Sequence, residues 1–464
     1  MNILIKNAVA VVTCSSKQTK SSEERRGNSS NFFYPNSLYI EDGIIKKVGY
    51  DLDMPADRII DASGKIVYPG LVNTHHHFMQ SFARNIPAAQ NMELFEWLTI
   101  VFDVLSKVNP DFMYYSALVS AGELVKYGCT TVFDHQYSYP YEPLPLIESQ
   151  FHATDKLGIR YVCGRGGITR GQDRGGMAPA PIVESLSRYL DTTADIIDAF
   201  NDESDFTYHK VVVAPCSPFT VDWDTMTESA KLARSKKVKL HTHLCETLDE
   251  ERFCEEVYGM RPLEFAKETG VFGNDTWYAH GIHFNDEELK ELAASQTGIA
   301  HCPISNMKLS SGICRVSEMV KLGVPLSLAV DGSASNDGSN MLEELRVAFL
   351  LHRLRSSKDA PSAAKLLEIA TLGGAKILGM DKYIGSLEEG KAADLFMVDV
   401  DNLDYVGAYD DPEAFLCTVG YMRPVYMTMI QGNIVYENGM LCGIDEEKER
   451  AEALEFFQKI KPIY

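Results

Sequence analysis

Short apolar runs alternate with longer amphipathic stretches along most of the chain, from Gly70 to Met380. Eight of these runs have the length and the β-branched composition of buried strands. The predicted strands are residues 67–77, 129–135, 159–165, 211–215, 238–243, 276–280, 298–302 and 325–331. Strands that alternate with helices in this way predict an α/β fold, a (β/α)8 TIM-type barrel with its active site at the C-terminal ends of the strands.

Five of the intervening stretches have clear helical patterns. One begins after the cap residue Asn109 with proline at the first helical position, and it ends at Tyr127, before Gly128. The other predicted helices cover residues 180–200, 222–235, 286–295 and 340–353.

The two ends of the chain follow a different pattern. Residues 2–13 and 37–60 alternate apolar and polar positions, and Asp42-Gly43 is a hairpin turn signal within the second stretch. Residues 384–399 and 425–435 predict further strands. We expect these late strands to complete the N-terminal sheet.

This change of pattern predicts how the chain is divided into domains. The predicted parts are a composite β-sandwich domain of residues 1–69 and 381–440, a catalytic barrel of residues 70–380, and a C-terminal helix within residues 441–464. The polar tract 15–31 contains almost nothing to bury, so we expect an exposed, mobile loop there.

Composition and charge exclude some classes of partner. The chain has 464 residues, and 44 Lys and Arg against 65 Asp and Glu give a net charge of −21. This charge repels nucleic acid backbones and anionic membrane surfaces, so neither is an expected partner. The ten cysteines form no CxxC pair, and no apolar run is long enough for a membrane span or a signal peptide. We therefore expect a cytoplasmic protein with reduced thiols.

Histidines and carboxylates stand where a barrel places its active site. His75 and His77 end the first predicted strand, and because side chains alternate along a strand, both imidazoles point to one side. This pair alone is a weak metal signal, but His243 and Asp331 end two later strands. Three imidazoles and a carboxylate suit a divalent cation with room for one water. Glu246 and His280 remain as acid–base groups.

The motifs at these strand ends resemble those of the amidohydrolase superfamily. They are Pro69-Gly-Leu-Val-Asn-Thr-His-His-His77, His243-Leu-Cys-Glu246, Ala279-His280 and Val330-Asp-Gly-Ser-Ala-Ser-Asn336. Within the superfamily, the chain is similar to the mononuclear aminohydrolases that deaminate purines, pterins and related heterocycles. The strongest resemblance is to the 8-oxoguanine deaminases, through residues 75–80, 94–97, 128–131, 301–303 and 331–337.

This resemblance implies a cofactor and a role for each site residue. Binuclear members carry a carboxylated lysine on the fourth strand, whereas residues 211–215 contain none, so we expect one divalent metal, Zn2+ or alternatively Fe2+. Asp331 is expected to move protons from water to the departing amine, and His280 to orient the nucleophile or to polarise the bond that is attacked. Glu246 is expected to protonate the ring nitrogen. Related triazine dehalogenation can proceed without that donor, so Glu246 favours deamination.

Other residues are weaker candidates for substrate binding. Gln80 could read the edge of a heterocycle, Trp97 could form a wall, and Arg165 could bind a carbonyl or an anion before the glycine-rich loop 166–176. His135 is expected to be structural.

The sequence leaves several alternatives open. The substrate could be a purine such as 8-oxoguanine or guanine, a pterin or pyrimidine such as isoxanthopterin or isocytosine, or a triazine. A non-catalytic barrel is the alternative from another class. A homo-oligomer is expected by the same resemblance.

Overall fold

The computed structural model describes residues 1–15 and 34–461, so the tract predicted to be a mobile loop lies, apart from Ser15, outside the described residues. The strands of the described chain are β1 Asn2–Lys6, β2 Ala10–Val11, β3 Ser37–Glu41, β4 Ile44–Gly49, β5 Arg58–Asp61, β6 Lys65–Pro69, β7 Leu71–Asn73, β8 His76–His77, β9 Cys129–Gln136, β10 Arg160–Gly167, β11 His209–Pro215, β12 Leu240–Leu244, β13 Thr276–His280, β14 Gly298–His301, β15 Leu326–Leu328, β16 Asp331–Gly332, β17 Leu395–Asp399, β18 Met427–Ile430, β19 Asn433–Glu437 and β20 Met440–Leu441.

The helices of the same residues are α1 Leu94–Leu105, α2 Pro110–Lys126, α3 Pro143–Leu157, α4 Leu186–Phe200, α5 Trp223–Lys236, α6 Leu248–Tyr258, α7 Pro262–Glu268, α8 Asp286–Ser295, α9 Pro303–Lys308, α10 Val316–Leu322, α11 Ser333–Asn336, α12 Met341–Arg353, α13 Ala363–Glu368, α14 Gly374–Leu378, α15 Pro412–Thr418 and α16 Glu446–Ile460. Short 3-10 helices lie at Phe78–Ala83, Pro87–Ala89, Gln172–Arg174, Ala180–Ile182 and Leu403–Tyr405, and a π-helical turn lies at Ile369–Gly373.

Eight parallel strands form the predicted barrel, in the order β15-β14-β13-β12-β11-β10-β9-β7. The first and last strands meet through a separate parallel pair, β8 with β16, in which Asp331 is opposite His76. Beside this pair, the hydroxyls of Thr74 and Ser327 lie 2.6 Å apart. The (β/α)8 fold predicted from the sequence is confirmed, with two additional sheets.

The first predicted strand, residues 67–77, is wrong in its extent. The chain pairs first in β6, antiparallel to β17, and then passes into the barrel as β7. Gly70 connects β6 with β7. A larger residue does not fit here, because a Cβ at this position would meet the Thr130 hydroxyl at 2.1 Å. The uniformly apolar run therefore serves two sheets.

The N- and C-terminal segments share two sheets outside the barrel. One is four-stranded, in the order β4-β3-β1-β5, and the other is six-stranded, in the order β2-β6-β17-β18-β19-β20. The predicted hairpin turn at Asp42-Gly43 connects β3 with β4. The predicted domain limits at residues 69/70 and 380/381 stay a prediction.

The predicted helices are found with small changes. Helix α2 begins as predicted, and the Asn109 side chain accepts a hydrogen bond from the Phe112 N–H. The predicted helix 180–200 is wrong in its first part, because a 3-10 turn at Ala180–Ile182 precedes α4. Helix α4 has its own cap, since the Ser185 hydroxyl accepts from the Arg188 N–H.

The C-terminal helix α16 packs beside α2. The Phe457 ring stacks on Phe82 with centroids 5.5 Å apart, and Phe456 lies edge-on to Phe112. Over residues 1–15 and 34–461, no helix combines the length and apolar character that crossing a bilayer requires.

A buried ion pair joins the barrel to the C-terminal segment. The Arg160 guanidinium donates to both carboxylate oxygens of Asp394, and both side chains are buried. Removing one partner leaves an uncompensated buried charge, so we expect Asp394→Ala to lower the free energy of unfolding by about 3–5 kcal/mol. Chemical denaturation would measure this change. The exposed pair of Asp404 with Arg423 is the control, and Asp404→Ala should cost at most about 1 kcal/mol. Equal losses in the two variants would contradict the assignment.

Candidate active site

Residues from four strand ends converge at the C-terminal face of the barrel. His77 lies in β8, His243 in β12, His280 at the end of β13, and Asp331 at the start of β16. His75 directly precedes β8. All five side chains are buried. This is the face at which TIM barrels carry their active sites.

Two of the histidines are oriented by backbone carbonyls. The His77 Nδ1–H donates to the carbonyl oxygen of His135 at 2.8 Å, and the His243 Nδ1–H donates to that of Cys216 at 2.7 Å. A neutral imidazole has only one N–H, so each ring keeps a bare Nε2. These two Nε2 atoms face each other at 3.1 Å.

The third histidine is oriented through another ring. The His241 Nδ1–H donates to the Trp277 carbonyl oxygen at 3.0 Å, which leaves the His241 Nε2 as an acceptor. The His75 Nδ1 lies 2.9 Å from this Nε2 and must carry the proton. Burial lowers the pKa of His75 to about 3, so this ring is neutral and its Nε2 is bare.

Three lone pairs and a carboxylate therefore meet in one place. Oδ1 of Asp331 lies 3.2 Å from the His75 Nε2 and 3.3 Å from the His77 Nε2. Burial holds the pKa of His243 well below its usual value, so the neutral form of this ring is favoured. Bare nitrogens facing a carboxylate repel each other unless a cation lies between them. The donor set fits a borderline divalent metal.

Two serines fix the direction of the Asp331 carboxylate. The Ser305 and Ser335 hydroxyls both donate to Oδ2, at 2.5 and 3.0 Å. Because Oδ2 accepts these two bonds, Oδ1 is the oxygen that faces the histidines.

Glu246 and His280 form an acid–base pair beside this group. The His280 Nδ1–H donates to the Asn306 Oδ1 at 2.9 Å, and its Nε2 points toward the Glu246 Oε2, 3.6 Å away. Burial, reinforced by the charge of Asp331, raises the pKa of Glu246 well above its usual value. This environment favours the protonated form of the carboxyl group.

Three residues at these strand ends have left-handed backbone conformations. The φ angles are +55° at Cys245, +72° at His280 and +62° at Asp331. Each costs a non-glycine residue roughly 1–3 kcal/mol, a cost that is common where side chains are aimed at a reaction.

A small cavity opens beside the Glu246 carboxyl group. The cavity is lined by His77, Gln80, Leu94, Trp97, Leu98, Phe102, Tyr137, Cys216, Ser217, Phe219, Thr220, His243, Glu246, His280, Leu309, Asp331 and Ser335.

Two of the three predicted substrate-binding residues line this cavity, and Gln80 is firmly held there. Its Nε2 donates to the Tyr137 hydroxyl at 3.1 Å, and its Oε1 accepts from the Ala334 N–H. Gly332 is needed for this approach, since a Cβ would meet the Gln80 Oε1 at 1.9 Å. One N–H of the Gln80 amide remains available. Trp97 forms part of the wall.

Arg165, the third predicted residue, does not line the cavity. Its guanidinium donates to both carboxylate oxygens of Glu184 and to the Thr192 hydroxyl, and it stacks on the Tyr139 ring at 3.9 Å. Both charged side chains are fully buried. This pairing argues against the predicted substrate contact.

The chain matches the family model described as "Amidohydrolase family" over residues 66–435. It belongs to the amidohydrolase family. The predicted resemblance is confirmed, and this amidohydrolase is a hydrolytic enzyme that acts on C–N bonds.

Two curated amidohydrolases and one solved structure are similar over most of their length. The 8-oxoguanine deaminase of Pseudomonas aeruginosa is 40% identical over 82% of this chain and 85% of its own. The hydroxydechloroatrazine ethylaminohydrolase of Pseudomonas sp. (strain ADP) is 38% identical over 87% and 84%. The atrazine chlorohydrolase of Arthrobacter aurescens TC1 complexed with zinc superposes with a TM-score of 0.91, at 29% identity, over 98% of this chain and 100% of that chain.

The fourth strand of this amidohydrolase begins earlier than predicted and includes Lys210. This lysine lies at the N-terminal end of β11, away from the site, and pairs with Glu203 at 3.5 Å. Lys210 therefore does not supply the carboxylated lysine of binuclear members. A single metal is still expected.

Sequence reasoning assigned no site role to His135. Its Nε2–H donates to the Ala214 carbonyl oxygen at 2.7 Å, and its buried Nδ1 has no hydrogen-bond partner among the described residues. A ring nitrogen of His135 lies within 4.8 Å of ligand nitrogens of His75, His77 and His243. The position of His135 at the end of the second predicted strand was the sequence signal that could have placed it near the site.

Proposed function

We propose that this amidohydrolase deaminates an amino-substituted nitrogen heterocycle by hydrolysis, with a purine base such as 8-oxoguanine or guanine as the substrate class. The observation that carries the proposal is the buried Glu246 carboxyl group, whose Oε2 lies 3.6 Å from the His280 Nε2 beside three histidines and Asp331. Burial raises the pKa of Glu246 well above its usual value, which favours its protonated form. A donor of protons and an acceptor of protons thus lie on the same side of the cavity, as hydrolysis of a ring C–NH2 group requires.

The proposed cofactor is one divalent metal held by His75, His77, His243 and Asp331, with Zn2+ as the first choice and Fe2+ as the alternative. Such a metal lowers the pKa of water and so supplies a nucleophile at neutral pH. The Nε2 atoms of His75, His77 and His243, which lie close together beside Asp331, support this assignment.

The chain's own residues would then move the protons. Glu246 gives the proton on its carboxyl group to the ring nitrogen, which makes the neighbouring carbon electrophilic. His280 accepts a hydrogen bond at its Nε2 from the attacking water and orients it. Asp331 takes a proton from the attacking water at Oδ1 and passes it to the amino group, which leaves as ammonia. The hydroxyl group then on the attacked carbon gives its remaining proton back to Glu246, and this carbon becomes a carbonyl carbon. One water is consumed.

The cavity walls support a neutral, planar substrate. Seven of the lining side chains are aromatic or aliphatic, and the acidic lining residues are Glu246 and Asp331, with no Lys or Arg among the described residues there. A phosphate or carboxylate on the substrate would find no cationic side chain in this cavity. We therefore favour a free base over a nucleotide.

A triazine is the second candidate, and a pterin or pyrimidine is the third. The triazine is favoured by the names of two of the similar proteins, which act on atrazine or a derivative of it. Glu246 favours loss of an amine after ring protonation, which is common to the purine and aminotriazine reactions. A cytoplasmic location and a homo-oligomeric state also remain proposals.

Ammonia release from a panel of substrates tests the proposal. The panel contains 8-oxoguanine, guanine, isoxanthopterin, isocytosine, an aminotriazine and guanosine monophosphate, and the metal content is measured on the same protein. We expect one free base to react strongly at about one metal per chain, and the nucleotide not to react. Fully metal-loaded protein that releases ammonia from none of these bases would contradict the proposed function.

A further inference from the structure

Glu250 is a fully buried acid that the proposed reaction does not use. It lies in the first turn of α6, directly behind the turn that carries Glu246. Its Oε1 accepts the backbone N–H of Cys245 and its Oε2 accepts the backbone N–H of Glu246, both at 2.9 Å. Both oxygens of one carboxyl group thus accept N–H groups of two successive residues. Burial raises the pKa of Glu250 to about 8, against which these two bonds favour the ionised form that accepts them.

This arrangement differs from an ordinary helix cap. In a capping box, an acid at the third helical position returns to the N–H of the cap residue, which here is Thr247. Glu250 occupies that third position but reaches one and two residues further back. The Thr247 hydroxyl accepts the Glu250 N–H, so this cap is formed independently.

No cation competes for the Glu250 carboxylate. Among the described residues it forms no ion pair, and the nearby Arg261 pairs with Glu251 and Glu288 instead. Glu250 therefore does not neutralise a cationic side chain. Its oxygens instead accept the two backbone N–H groups.

The turn that Glu250 holds has an unfavourable backbone conformation. Cys245 has a φ of +55°, in the left-handed region that a non-glycine residue rarely adopts. Its carbonyl oxygen accepts the N–H groups of Ile282 and His283, at 2.8 and 3.1 Å. The same turn is thereby connected to the one that follows His280, whose φ is +72°.

We propose that Glu250 is a positioning residue, whose carboxylate binds the Cys245 and Glu246 amides and so fixes the Glu246 side chain opposite His280. The expected effect of Glu250 on activity rests on the proposed function. Its expected effect on the backbone of the turn does not. Without the two bonds, the strained turn can relax, and Glu246 loses its alignment with the ring nitrogen. Misplacement by about 1 Å can cost a reaction about 100-fold in rate.

Glu250→Gln tests this role, because an amide group can accept one N–H but presents its own N–H to the other. We expect kcat/KM to fall about 100-fold, with the metal content unchanged. Hydrogen exchange of the Cys245 and Glu246 amides should become faster in the same variant. The matched control is Glu251→Gln, the same chemical change at the next residue of α6, where the side chain pairs with Arg261. This control should match the wild type in both measurements.

A double variant separates positioning from a general structural effect. If Glu250 acts through Glu246, then Glu246→Gln/Glu250→Gln should lose much less activity than the product of the two single losses. Strictly multiplicative losses would overturn the role, as would wild-type exchange at the two amides.

Hydrogen exchange also distinguishes this inference from the proposed function. If the protein deaminates none of the substrates but hydrogen exchange is faster in Glu250→Gln, the role of Glu250 in holding the turn is supported and only the proposed function is rejected. If Glu250→Gln does not fold, Glu250→Asp replaces it, since its carboxylate is one methylene too short to reach both amides. Native exchange and activity in Glu250→Asp would overturn the role.

Discussion

Replacing Glu246 by Gln is expected to lower kcat by about 10²–10⁴-fold, the range that one general acid contributes, while the metal content stays unchanged. Glutamine has almost the same shape, so the cavity and the neighbouring His280 keep their positions. The amide group, however, has no acidic proton to give to the ring nitrogen. Steady-state ammonia release and elemental analysis of the same sample would measure both properties.

The pH profile provides a second measurement for Glu246. Burial and the nearby Asp331 charge raise the pKa of this carboxyl group. The active, protonated form is therefore present below the raised pKa and disappears as the pH rises through it. We expect this alkaline decline in the wild type and not in Glu246→Gln, and the Glu251→Gln control should keep it. Full activity of Glu246→Gln would indicate a substrate that needs no ring protonation, as in dehalogenation.

The barrel and its metal-binding candidates could be predicted because both follow from local patterns. His75, His77, His243 and Asp331 each stand at or near the end of an apolar run. The C-terminal ends of parallel strands meet at one face of a barrel. Residues far apart in the chain are therefore placed together once the strands are recognised, and no knowledge of their contacts is required.

The errors in prediction concern long-range partners, which periodicity does not encode. Nothing in residues 67–77 shows that the chain passes from one sheet to another at Gly70, because the strands of both sheets bury the same types of apolar residue. Arg165 ends a predicted strand, as a binding residue would, but its partner Glu184 comes 19 residues later, beyond a loop.

The supporting residues of the site were missed for the same reason. Glu250 is an acid in the first turn of a helix, which is a common place for one, and its bonds to the preceding turn depend on the left-handed Cys245. Ser305 orients Asp331 across 26 residues of sequence. Local pattern thus finds groups that ligate or react, whereas the residues that aim them become visible in the fold.

Replacing His243 by Ala is expected to remove metal and activity together. His243 presents a bare Nε2 that faces the Nε2 of His77 at 3.1 Å, so its loss removes one of three nitrogen ligands from the proposed metal. A metal that binds the folded state stabilises it by about 2.7 kcal/mol at a concentration of 100 times its Kd. Added Zn2+ should therefore raise the Tm of metal-stripped wild type.

In His243→Ala, the same addition of Zn2+ should leave the Tm nearly unchanged, and ammonia release should fall to background. His209→Ala is the matched control, because His209 begins the barrel strand β11 at the opposite end and pairs with Asp155 at 2.6 Å. This control should keep the Zn2+ response. Stoichiometric metal retained by His243→Ala would move the binding site to the remaining donors, and the nearby His135, whose Nδ1 has no partner among the described residues, would be the first to replace next.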